Sequence, residues 1–166
     1  MVNEKNDVQA EIKNVTDMLS EISDPEIPAV NIVELGIVRG VAINNGRIEV
    51  SITPTYSGCP AMQMIKDNIR SRLESSGYSG IEIVTVYSPA WTTDWMSDET
   101  KEKLKNYGIA PPGKSCMAAA YISDAVSCPF CGSEKTEIKS RFGSTACKAF
   151  YYCKNCLQMF EHFKRI

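Results

Sequence analysis

Histidine is nearly absent: the 166 residues contain one, His162. A Cys-His hydrolase or a Ser-His-Asp triad needs an imidazole beside its nucleophile, and a lone His in an aromatic C-terminal stretch disfavours both. Long apolar runs are missing too. None approaches the roughly 20 residues that span a bilayer, and the polar, acidic start Met1–Ala10 lacks the apolar stretch of a secretion signal. We therefore expect a cytoplasmic chain with no membrane partner. Net charge is close to nil, 18 Lys+Arg against 20 Asp+Glu, so overall electrostatics give no case for nucleic acid. Gly113-Lys114-Ser115 lacks the preceding glycine and strand of a phosphate loop. The remainder, 43% apolar and 23% charged, is globular and excludes disordered or collagen-like chains.

The average hides an asymmetry. Up to Ser127 there are 11 basic and 17 acidic residues, a net of −6; from Cys128 to Ile166 there are 7 and 3, a net of +4. That tail also carries all five Phe and five of the seven Cys. Charge, aromatic content and cysteine density change together, which predicts a first domain over 1–112, a linker over 113–126 and a second domain over 127–166.

In the first domain, Val8, Ile12, Val15, Leu19 and Ile22 recur at helical spacing, with Asn6 or Asp7 as cap. Asp24-Pro25-Glu26-Ile27-Pro28 ends that helix. Ile37–Ile43 and Arg47–Thr53 flank Asn44-Asn45-Gly46, the signature of a tight hairpin. A helix from Pro60 through Leu73, a strand over Ile81–Tyr87 and a short helix from Ser97 to Leu104 follow. The expected class is α+β: a small antiparallel or mixed sheet with helices on one face, followed by a β-rich tail. Within the linker, Met117–Ile122 could add a strand.

Cys128-Pro129-Phe130-Cys131 and Cys153-Lys154-Asn155-Cys156 are two C-x2-C pairs with 21 residues between them. Each pair aims two sulfurs at one point, and four thiolates close a tetrahedral shell, so the tail reads as a four-cysteine zinc ribbon with iron as the competing metal. Two disulfides are the alternative, disfavoured in a reducing compartment. A segment this short cannot fold on apolar burial alone, so the ion should be structural. The aromatics between the pairs serve either a small core or the stacking of single-stranded nucleic acid, the core being favoured.

Gly58-Cys59-Pro60 is the other informative stretch. With Pro60 as the first helical residue, Cys59 caps the helix and its sulfur lies at the positive end of the dipole, which favours thiolate and suits soft-metal binding. A small buried cap residue is the equal alternative. Asp24, Glu26 and Glu34 are candidate oxygen ligands near the same end of the sheet, although capping or solvated roles are commoner.

Asp24-Pro25-Glu26-Ile27-Pro28, Val33-Glu34-Leu35-Gly36-Ile37-Val38, Thr53 through Gly58-Cys59-Pro60, Pro89-Ala90-Trp91 and Asn106–Pro112 resemble the iron–sulfur assembly domain of cluster-maturation proteins. Phe142-Gly143-Ser144-Thr145-Ala146-Cys147-Lys148-Ala149 inside a four-cysteine ribbon is more specific, and the combination resembles the PaaD (PaaJ) family of accessory proteins of the phenylacetyl-CoA oxygenase system. The resemblance implies a non-enzymatic maturation factor in aerobic phenylacetate degradation whose partners are oxygenase components or iron–sulfur clients. It maps a reactive cysteine onto Cys59, carrying iron or a transient iron–sulfur cluster, with a homodimer as one way to complete the coordination. It maps the zinc ligands onto Cys128, Cys131, Cys153 and Cys156. Cys147 stands as an additional ligand or a buried ribbon residue; Cys116 matches no motif. A non-catalytic adaptor that binds protein or nucleic acid through the ribbon is the alternative function.

Overall fold

The computed structural model describes residues 2–44, 46–113 and 126–166. Cys116, the expected strand Met117–Ile122 and nearly all of the expected linker lie outside the described residues. The chain divides into two units, Met1–Trp91 and Thr92–Ile166.

In the first unit, α1 (Val2–Leu19) starts ahead of the expected cap, since neither Gly nor Pro stands in its way. Only the later half of its stripe is packed: Val15 and Leu19 are fully buried, whereas Val8 is 36% exposed. The following turn is built from side chains that bond the backbone. Asp24 Oδ1 accepts from the Glu26 and Ile27 N–H groups, both at 2.9 Å. Asn31 Oδ1 accepts from Val33 and Glu34 N–H, and Glu34 Oε2 accepts in return from Asn31 N–H. This reciprocal pair is a capping box on a single turn, with Asn in place of Ser or Thr. Trp91 is buried and its Nε1–H donates to Leu35 O at 2.8 Å, closing the far side of the turn.

β1 (Val38–Asn44) pairs antiparallel with β2 (Arg47–Ile52), and β2 pairs parallel with β3 (Ile81–Thr85). Gly46 takes φ +75 in the hairpin, where L-residues are disfavoured. The parallel step requires a crossover. It is made by α2 (Ala61–Ser75), whose buried stripe is Ala61, Ile65, Ile69 and Leu73. Ile48, Val50 and Ile52 are buried on β2. Packing contacts join α1 to β1, α1 to α2 and α2 to β3, so the helices share one face of the sheet. Each large aliphatic side chain in this layer contributes roughly 2 kcal/mol by burial.

The second unit opens with a 3-10 turn (Thr93–Trp95) and α3 (Asp98–Asn106). Ser97 Oγ accepts from Thr100 N–H at 3.0 Å, while Asp98 and Glu99 in the first turn and Lys103 and Lys105 in the last suit the helix dipole. β4 (Ile109–Ala110) then joins β5 (Thr136–Ser140), β6 (Lys148–Cys153) and β7 (Met159–Phe163) in a sheet ordered β4-β7-β6-β5. α3 and β4 therefore belong to the second unit. The physical reason is hydrogen bonding: the short β4 finds its ladder on β7, with Ile109 opposite Glu161 and Ala110 opposite His162. Ala110, Val126, Cys128, Cys153 and Phe160 form the core here, with Tyr151 and Cys156 against it.

Candidate metal centre and Cys59 loop

The two cysteine pairs sit on knuckle turns at one end of the second sheet. Cys128 N–H donates to Ser133 O and Gly132 N–H to Cys128 O, with Gly132 at φ +72. In the second knuckle Cys153 N–H donates to Gln158 O and Leu157 N–H to Cys153 O. These turns bring the sulfurs of Cys128, Cys131, Cys153 and Cys156 within 4.8 Å of one another. Two of the approaches cross between knuckles, Cys128 to Cys156 and Cys131 to Cys153, each 3.6 Å. A tetrahedron with zinc–sulfur arms of about 2.3 Å has edges of about 3.8 Å, so the set fits zinc. A disulfide needs about 2.05 Å, which excludes that alternative. Cys128 and Cys153 are buried, whereas Cys131 is exposed, giving the shell a dry and a wet side.

Three of the four thiols are shifted from the ordinary cysteine value by their surroundings. The Ser133 N–H, followed by the Asn155 amide at 3.6 Å, brings the Cys131 thiol down to about 6. Burial pushes Cys156 up to about 12 and also raises Cys128. Cys131 thus favours the thiolate form, whereas Cys128 and Cys156 would have to lose protons for all four sulfurs to hold an ion. Sequence reasoning missed Asn155, although a polar residue one position before a knuckle cysteine is the available signal.

Phe142–Lys148 forms the loop that enters β6, and its contacts are structural. Lys148 is 2% exposed, and its Nζ lies 2.8 Å from Glu161 Oε2. Glu161 Oε1 accepts from Ser144 N–H at 2.6 Å. Burial alone would raise the Glu161 carboxyl, but the Lys148 ammonium and the Ser144 N–H hold it below its ordinary range. A Cβ on Gly143 would stand 2.7 Å from Glu161 Oε1 and 3.0 Å from Lys148 Cβ, so only glycine lets the loop lie against this pair. Cys147 is buried, its sulfur 3.0 Å from Thr145 Oγ1. It lies six residues from Cys153 along β6, roughly 20 Å of strand, and outside the four-sulfur group. The sequence signal for the ion pair is Lys148 itself, since a lysine in a half-buried aromatic strand needs a partner.

Cys59 belongs to the first unit. Regular helix begins at Ala61, and Pro60 already has helical dihedrals (φ −68, ψ −24), so Cys59 stands just ahead of the helix rather than as its side-chain cap. Its carbonyl accepts from Met62 N–H at 3.3 Å, and its own N–H donates to Tyr56 O at 3.2 Å. Gly58 takes φ +88, with no atom within 4 Å of the position a Cβ would occupy. Cys59 is half-buried. The Asp24 and Glu34 carboxylates are engaged with backbone N–H groups of their own turn. Among the described residues, the four ribbon cysteines form the one group of three or more Cys, His, Asp or Glu whose ligand atoms converge within 4.8 Å; Asp24, Glu26, Glu34 and Cys59 are not part of it. Within the second unit, His162 Nδ1 lies 3.1 Å from Ala110 O and its ring is edge-on to Tyr151. Among the described residues no helix is long and apolar enough to cross a membrane.

Two family comparisons match separate stretches: an iron–sulfur cluster assembly protein family over residues 12–86, and a PaaD zinc beta ribbon domain over residues 114–164. A protein of Escherichia coli (strain K12), named as one of the subunits of a 1,2-phenylacetyl-CoA epoxidase, is 43% identical over 157 residues, 94% of each chain. A Porphyromonas gingivalis (strain ATCC BAA-308 / W83) protein named Fe-S protein maturation auxiliary factor is 35% identical over 94 residues, 55% of this chain and 89% of its own. The crystal structure of a DUF59 domain from Bacillus anthracis matches 60% of this chain and 96% of its own at 28% identity, with a TM-score of 0.57.

Proposed function

We propose a function from one premise, that this chain belongs to the PaaD family and joins an iron–sulfur assembly domain to a zinc ribbon: it is an accessory factor that helps build or deliver the iron centre of a multicomponent phenylacetyl-CoA oxygenase, without ring-oxidising chemistry of its own. The observation that carries this reading is Cys59, half-buried at the start of α2 behind a glycine that leaves room for an incoming group. The 15-residue helix directs its positive end toward this position, which favours an anionic sulfur holding a soft metal. Iron or a small cluster is cargo here. Cys59 is the sole cysteine of the Met1–Trp91 unit, and one thiolate cannot complete the coordination of a cluster. A second copy of the chain or the receiving client supplies the rest.

The ribbon has a different task. Cys128, Cys131, Cys153 and Cys156 hold structural zinc, whose role is to replace the apolar burial that so short a segment lacks. All four positions of its shell are protein sulfurs, which leaves no open position for substrate. Cys147 is a packing residue of the loop. Asp24 and Glu34 shape the turn and hold no metal.

Anaerobic reconstitution with iron and sulfide tests the reading, comparing wild type with Cys59→Ser and Cys147→Ser. Iron uptake, and its transfer to an apo oxygenase component, should fall at least about tenfold in Cys59→Ser, with zinc content and thermal midpoint unchanged. Cys147→Ser should load normally. Equal loading of wild type and Cys59→Ser removes Cys59 from the mechanism.

A further inference from the structure

The second knuckle carries a feature that the fold does not require. Leu157 has φ +60 and is 68% exposed. The corresponding residue after the first knuckle is Gly132, at φ +72. Glycine takes this conformation without strain and leucine does not, so a strained backbone here displays an apolar side chain to solvent. Leu157 N–H donates to Cys153 O, closing the turn between β6 and β7, and the cross-strand pair Tyr152 and Met159 flanks that turn in the sheet. Met159 is 50% exposed and Tyr152 half-buried. Glu137 on β5 continues the row across the sheet, opposite Tyr152.

Charge surrounds this patch with one sign in excess. Lys154 and Lys139 both pair with Glu137, Lys154 at 2.8 Å, so two ammonium groups share one carboxylate. Elsewhere on the ribbon Lys148 is already neutralised by Glu161. The remaining excess of the +4 tail is therefore distributed over its exposed surface.

We propose that Leu157, Met159 and Tyr152, rimmed by Lys139 and Lys154, form a docking surface for an acidic segment of a partner protein that presents an apolar side chain. The competing occupant is single-stranded nucleic acid, which needs open aromatic faces on which bases stack. The rings are poorly placed for that. Lys139 Nζ lies 5.2 Å over the Tyr152 ring, and Lys164 Nζ lies 5.0 Å over that of Phe142. The most exposed members of the patch, Leu157 and Met159, have no ring at all. Aliphatic contacts inside a cationic rim match an acidic, apolar-bearing protein surface. This surface belongs to the ribbon alone and stands or falls independently of the role of Cys59.

The test uses the full-length zinc-loaded chain, labelled for amide NMR. Four probes are titrated: a 12-residue Glu-rich peptide with a central Leu-Phe pair, the same peptide with Ser-Ser in its place, poly-glutamate, and a thymidine 12-mer. The first peptide should bind most tightly, with shifts concentrated in residues 152–159. Loss of its apolar pair should weaken binding about tenfold. Leu157→Gly should weaken binding comparably while leaving zinc content unchanged and thermal stability equal or higher, which separates lost contact from lost folding. Lys154→Glu should weaken it again. The proposal is overturned by unaltered affinity in Leu157→Gly, by shifts centred elsewhere, by absence of binding, or by tighter binding of the thymidine oligomer at the same residues.

Discussion

Replacing Lys148 with methionine removes a cation from the most enclosed ion pair among the described residues of the second unit while keeping a flexible apolar stem in place. The side chains of Lys148 and Glu161 are 3% and 17% exposed, with a 2.8 Å contact. Removing one member of a buried pair commonly costs about 3–5 kcal/mol, because the other charge is left in a poor solvent. Glu161 keeps the Ser144 N–H at 2.6 Å and some contact with water, so the lower end applies, about 3 kcal/mol. Because an apolar pair of similar volume is often as stable as the ions, Lys148→Met with Glu161→Leu should recover to within about 1 kcal/mol of wild type. Hydrogen exchange of β6 and β7 amides in the zinc-loaded protein is the assay, and a 3 kcal/mol loss accelerates globally limited exchange about a hundredfold. The pH dependence has a definite sign. A carboxyl held below its ordinary 4.5 stabilises the fold above that pH, and the contribution disappears as pH falls through the folded-state value. The deficit of Lys148→Met should thus be full at pH 7 and shrink below pH 4.5. Acceleration under about fivefold, or a double variant as fragile as the single one, would refute the assignment.

Gly143→Ala probes the same cluster by volume: its methyl meets Glu161 Oε1 and the Lys148 backbone carbon at 2.7 and 3.2 Å, so a loss of about 1–3 kcal/mol is expected in chemical denaturation. Asn31→Ala removes the side-chain acceptor of the Asn31–Glu34 box and should lower the stability of the first unit by about 1 kcal/mol; no change in its thermal midpoint would contradict the capping role. Zinc affinity should rise with pH, since Cys128 and Cys156 both shed raised-pKa protons on binding. At least two protons leave per ion, which corresponds to at least about a hundredfold per pH unit near neutrality, measurable by chelator competition, and a flat profile would show that the shell is already deprotonated. Stripping zinc should unfold the ribbon strands and leave α1, α2 and β1–β3 intact by amide NMR.

Local and periodic features were legible in the sequence. The hairpin at Asn44–Gly46 follows from backbone sterics, and the α2 stripe follows from a 3.6-residue period. The four ribbon cysteines follow from the reach of a thiolate across two residues. Each is decided within a few residues, which is why the sequence carries it. Tertiary structure decided what depends on partners distant in the chain. Two residues, Ile109 and Ala110, carry no strand signal of their own, yet an open ladder on β7 makes them one and takes α3 into the second unit. The Phe142–Lys148 motif could be quoted from the sequence, but its role is set by Glu161, thirteen residues beyond Lys148, which fills the space Gly143 leaves. Asp24 and Glu34 read in a linear sequence as capping residues or as oxygen ligands, because carboxylates serve both purposes; the fold shows them bonded to backbone N–H groups of their own turn. Spacing names the groups, and their neighbours in space determine what each one does.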